Sequence, residues 1–116
     1  MPHAPRLIDI HTHLRGLAAL DGELLRFARD HRMQLCASTL GLGGAFWVTP
    51  DPVQVRACNA LTLNFMRRHP GLVTGFCNIN PLHGNGALDE MSRCHAAGMK
   101  GVKLWIAAKA SHRCVV

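Results

Sequence analysis

The sequence predicts an α/β fold built on a parallel sheet. Three observations carry that reading. Short apolar, β-branched runs alternate with helical patterns in the order strand, helix, strand, helix, strand, helix, strand, which is the signature of right-handed βαβ units. Turn and stop residues, notably Pro70-Gly71, Asn80-Pro81 and Gly98, fall between these segments. The chain has 116 residues, 48% of them apolar, enough for one core and one domain spanning residues 1–116.

Arg6–His13 reads Arg-Leu-Ile-Asp-Ile-His-Thr-His, a period-two strand pattern. Leu20–Arg32 fits a helix, with Asp21 as a capping residue, Glu23 in the first turn, and Leu24, Phe27, Ala28 and His31 at helical spacing. Met33–Thr39 is a second strand. Leu40–Asp51 carries Gly41, Gly43, Gly44 and Pro50 and reads as a long loop, a kind of connection often used for function. Asp51-Pro52 opens a second helix as N-cap and first helical residue. That helix runs to about His69, with Val53, Ala57, Ala60, Leu61 and Phe65 as its expected stripe. Leu72–Ile79 is a third strand. Gly86–Ala97 is a third helix, with Leu88, Met91, Cys94 and His95 along one side, and Gly101–Ala107 is a fourth strand. Lys109–Val116 shows no pattern.

Charge and cysteine usage narrow the function classes. Thirteen Lys and Arg against seven Asp and Glu give a net charge of +6. The basic residues are scattered, and aromatics are only 5%, so the stacking platform of a nucleic-acid binder is missing. The surface is expected to favour anionic solutes, with no nucleic-acid partner. Five cysteines without a CxxC form neither a zinc ribbon nor a secreted disulfide framework. Cys36 and Cys77 lie in apolar runs and read as small buried hydrophobes. No apolar run reaches the roughly 18 residues of a membrane span, and Met1–Arg6 lacks the apolar stretch of a signal peptide. The expectation is a cytoplasmic protein with no membrane partner.

The strongest chemical signal is Asp9-Ile10-His11-Thr12-His13. Residues i and i+2 of a strand share a face, so His11 and His13 are expected side by side, with Asp9 one step lower on the same face. Ile8 and Ile10 would form the apolar face under the helices. Two adjacent imidazoles suit a divalent cation, and Asp9 is placed to orient one of them. The alternative is two polar residues at a strand end. The pair falls at the carboxyl end of the first strand, where βα folds place their sites.

Lys103 is the second feature. In Gly101-Val102-Lys103-Leu104-Trp105-Ile106 it is expected opposite the apolar Val102, Leu104 and Ile106. A lysine on the inner face is costly unless paired, neutral or modified. It is a candidate metal-site lysine, carbamylated or binding an anionic substrate; the alternative is a lysine snorkelling to the rim or paired with an acid. Trp47 and Trp105 read first as ordinary packing residues and otherwise as pocket walls, and His83 follows the third strand directly.

Ile8-Asp9-Ile10-His11-Thr12-His13-Leu14 resembles the first-strand motif of the amidohydrolase superfamily. Asn59 to Trp105 resembles its amidohydrolase-related branch of metal-dependent hydrolases and decarboxylases: a long helix ending Arg67-Arg68-His69-Pro70, then Gly75-Phe76-Cys77-Asn78-Ile79-Asn80-Pro81, Ala87-Leu88-Asp89-Glu90, and Ala97-Gly98-Met99-Lys100-Gly101-Val102-Lys103-Leu104. The resemblance covers about Leu7 to Ile106. It implies the first half of a TIM-like (β/α)8 barrel, a partial (β/α)4 domain. It implies a divalent metal, zinc first, on His11 and His13, with Lys103 on the strand where some members carry a bridging carbamylated lysine. The family's further ligands, histidines on the fifth and sixth strands and an aspartate on the eighth, have no counterpart here.

Such a barrel needs about 250 residues. The chain is therefore expected to be a fragment of a longer reading frame, with little activity alone. The implied activity is hydrolysis of an amide, ester or lactone, or a related decarboxylation, of a small-molecule substrate. The rival expectation is a non-catalytic half-barrel that pairs its open edges with a copy of itself or a complementing half.

Overall fold

The computed structural model describes residues 7–105. Its elements are β1 (Leu7–Leu14), α1 (Ala18–Asp30), β2 (Met33–Thr39), α2 (Pro52–Arg68), β3 (Val73–Asn78), a 3-10 turn at Pro81–His83, α3 (Asn85–Ala96) and β4 (Gly101–Lys103). The four strands form one parallel sheet in the order β1-β2-β3-β4. The sheet is curled into a half-barrel. Its pairing is staggered: Val73–Gly75 pair with β2, while Phe76–Asn78 pair with β4. Such stagger accompanies the tilt and closure of barrels.

The helices bury the outer face of the sheet. One core region gathers Leu14, Leu25, Ala28, Leu35, Ala37, Phe65 and Val73, and a second gathers Leu63, Cys77, Ile79, Ala87, Cys94 and Met99. Phe65 and Leu63 both come from α2, so this helix joins the two regions. Gly75 lies beneath it, where a Cβ would collide with the Met66 side chain. Cys77 is buried as expected, whereas Cys36 is only half-buried.

The start of α2 is as the sequence predicts. The Asp51 carboxylate accepts from the Gln54 N–H, and the Gln54 side chain accepts from the Asp51 N–H, with Pro52 inside the first turn. Asp21 behaves differently. Helix α1 starts earlier, at Ala18, with Leu17 as an N-cap that makes no side-chain bond. Asp21 sits in the first turn, buried, and accepts from the Arg15 and Gly16 N–H groups at 2.8 and 3.0 Å. It anchors the turn leading out of β1.

Three expected stripes hold in part: Ala28, Phe65 and Cys94 are buried as expected, and Leu24, Leu61 and Met91 pack against the core, but other members do not. In α1, Leu25 and Ala28 are buried, while Phe27 is exposed and stacks on His31. In α2, Val53 is exposed, and the buried face includes Asn59 and Thr62. In α3, Leu88 is exposed, and the buried face is Ala87, Glu90 and Cys94. In α2 and α3 the buried face includes hydrogen-bonded polar side chains beside the apolar ones, which hydrophobic periodicity does not mark. Thr39 and Thr62 hydroxyls lie 2.7 Å apart, and Asn59 and Glu90 belong to one buried network.

In that network Glu90 accepts from Asn59 Nδ2 at 2.8 Å and from Arg93 Nε and Nη2 at 2.8 and 2.7 Å. Burial pushes its carboxyl up, but the bonds from Arg93 and Asn59 outweigh this and hold it below the usual carboxylate value. A carboxyl lowered by folding stabilises the fold above its unfolded-state value, and that contribution disappears as pH falls through the folded-state value. Urea midpoints are therefore expected to fall below about pH 4, with a shallower slope in Glu90→Gln. Equal slopes in both proteins would show that Glu90 does not carry the acid sensitivity.

Candidate metal centre

The site lies at the carboxyl end of the sheet and begins with an irregularity in β1. Asp9 pairs with Leu35 and Thr12 with Ala37, so Ile10 and His11 together face the single residue Cys36. This bulge resets the side-chain alternation. Ile8 and Ile10, expected under the helices, are exposed, 59% and 72%; Thr12 and Leu14 are buried instead. Asp9 also departs from expectation. Its Oδ1 accepts from the His11 backbone N–H at 2.9 Å, and that bond holds its carboxyl below the usual value.

His11 and His13 nonetheless converge. Their Nε2 atoms are 3.1 Å apart, and the rings meet edge to face. Two nitrogens bound tetrahedrally to one zinc at about 2.0–2.1 Å would lie roughly 3.3 Å apart, so the spacing of the pair is close to that of two ligands on one cation. His13 Nδ1 lies 3.0 Å from Ser38 Oγ. With Nδ1–H donating to that hydroxyl, the Nε2 lone pair faces the partner histidine. Burial, followed by the charges of His11 and Lys103, pushes the His13 imidazole below its usual value and favours its neutral form. Ser38→Ala is expected to weaken zinc binding about 10-fold without unfolding the chain; unchanged affinity by calorimetry would remove Ser38 from the site.

Lys103 arrives from the far edge of the sheet. Its Nζ lies 3.2 Å from His11 Nε2, although β2 and β3 separate the two strands. The contact is a direct consequence of the curl. Val102 and Leu104, expected beneath helices, are 41% and 57% exposed, and Ile106 lies outside the described residues.

The loop after β2 supplies the remaining wall. Gly41 passes so close to the Ala45 carbonyl that a Cβ there would clash, and Gly44 adopts φ 84° while its N–H donates to Arg15 O. These bends bring Phe46 edge-on to His13 and to Trp105, with the Arg15 guanidinium 4.3 Å from its ring centre. A shallow pocket of about 190 Å³ results, lined by His11, His13, Leu40, Phe46, Lys103 and Trp105. Trp105 thus lines the pocket, one of the two readings open to it. Trp47 does not, and Phe46 takes that place. His83 stands apart, accepting from Asn80 Nδ2 at 3.3 Å.

The lining carries three nitrogen bases and no carboxylate. Among the described residues no third His, Cys, Asp or Glu joins the histidine pair. The arrangement can hold a cation on two imidazoles or an anion against Lys103. No helix among the described residues is long and apolar enough to cross a membrane. Comparison with protein-family models, with curated proteins and with solved structures finds no match for this chain.

Proposed function

We propose that this chain carries the amino-terminal half of a TIM-like barrel of the amidohydrolase-related kind, with the zinc-binding strand of a hydrolase or decarboxylase. The observation that carries the reading is the convergence of His11 and His13 Nε2 at 3.1 Å, at the carboxyl end of a parallel sheet. His11 and His13 hold the divalent cation, and Ser38 orients His13. When bound, such a cation polarises a carbonyl and lowers the pKa of water. Lys103, with Nζ beside the pair, holds the negative charge of a small substrate or of its developing oxyanion. Phe46 and Trp105 exclude water from one side. A catalytic zinc usually has three protein ligands, so two imidazoles give modest affinity and little turnover in this chain alone.

Zinc titration by calorimetry on the purified chain tests the reading. Micromolar binding at one saturable site supports it. Absence of binding at millimolar zinc would remove its basis.

A further inference from the structure

Among the described residues the curled sheet ends in two unpaired edges, β1 and β4, and each carries exposed apolar side chains. Leu7, Ile8 and Ile10 on β1 are 59–72% exposed, and Val102, Leu104 and Trp105 at β4 are 39–57% exposed. Open apolar edge strands are templates for pairing. The two edges are also complementary in direction. All four strands run parallel, so a two-fold rotation about the axis of the curl lays β4 of one copy parallel to β1 of another. The same rotation forms the second seam at once, and an isologous closure of this kind leaves no free edge. The contact of Lys103 with His11 shows that the curl is already deep enough for side chains of the first and last strands to meet. Four strands with that curvature make half of an eight-stranded barrel, whose interior is just wide enough for side chains to fill.

We infer that a second copy of this chain closes the sheet into an eight-stranded barrel, each copy's β4 pairing with the other's β1. Residues on β1 of the two copies then stand opposite one another, and their side chains reach the common axis. The partner's His11 and the partner's His13 would face this chain's pair across one mouth and supply the ligands that two imidazoles lack. This last point rests on the metal reading; the closure rests on the edges alone. Each copy carries +6, so closure strengthens as salt screens the repulsion.

Sedimentation equilibrium of the full chain at moderate salt, with and without zinc, is the test. The expected result is a dimer. Ile10→Lys and Leu104→Lys alter exposed edge positions, and circular dichroism checks that each variant stays folded. Each is expected to weaken association at least about 100-fold, whereas Val53→Lys on the exposed face of α2 leaves it intact. One zinc per two chains, bound more tightly by the dimer, supports the shared mouth. A wild-type chain that stays monomeric through high micromolar concentration overturns the closure, as does a dimer that survives both edge variants. A dimer that binds one zinc per chain overturns the shared mouth and leaves both the closure and the metal reading standing. A dimer that is lost in both edge variants but takes up no zinc upholds the closure and overturns the metal reading.

Discussion

The chain carrying His11→Ala and His13→Ala together loses its zinc site, with affinity expected to fall at least about 100-fold. The size follows from the donor set. Among the described residues nothing else of metal-binding type joins the pair, so no residual chelate remains. Each single substitution is expected to cost nearly as much as both, because one imidazole alone gains nothing from convergence. Folding should be little affected, because His11 is exposed and His13 half-buried, and the carboxyl half of β1 is anchored by the buried Leu14. Affinity in the wild-type chain should fall on acidification as His13 takes up a proton, and because burial favours its neutral form that loss should begin below the usual imidazole range. Calorimetry on the four proteins, alongside thermal melts, separates the outcomes. Binding that persists in the double variant locates the zinc elsewhere on the chain.

The largest loss of stability is expected at a residue with no part in that chemistry. Asn59 is completely buried in α2 and ties three elements together. Its Oδ1 accepts from the Asn78 N–H at 2.7 Å, and its Nδ2 donates to Asn78 O at 2.9 Å and to Glu90 Oε2 at 2.8 Å. Asn59→Ala strands a backbone donor and a backbone acceptor where β3 has no water to offer them, each costing about 1–3 kcal/mol. It also strips Glu90 of one of its donors. The expected total is about 3–5 kcal/mol, a large share of the roughly 5–15 kcal/mol of a small domain. Asn59→Asp should be no better, since it removes the donor and sets a carboxylate beside Glu90. Urea unfolding of both variants measures the effect. A loss below about 1 kcal/mol would mean that water replaces the side chain.

The residues differ in how far ahead of the structure they declare themselves. His11 and His13 were legible because the i, i+2 rule is local, and the strand-helix alternation was legible because periodicity and stop residues act over a few positions. The bulge at Ile10 and His11 was not. Register depends on which residue of β2 lies opposite, and one extra residue exchanges the faces, so Ile8 and Ile10 went to solvent. Ser38 and Phe46 were invisible for a related reason: one reaches His13 from a neighbouring strand and the other from a folded-back loop. Asn59 was hidden by its chemistry, since an asparagine at a helix interior reads as exposed until its partners are known. Lys103 lay in between. Its inward direction followed from alternation, but its contact with His11 needed the curl.

Helix α2 contributes Phe65 to one packing region and Leu63 to the other, and Asn59 of the same helix holds β3 and α3. The two flanks of the sheet therefore share one support and have no separate stability. Loosening α2 releases both, so the domain should melt as a single cooperative unit rather than flank by flank. A chain divided between β2 and α2 would yield two pieces, neither of them autonomous. The βα unit, so easily counted along the chain, is thus a unit of pattern and not of folding.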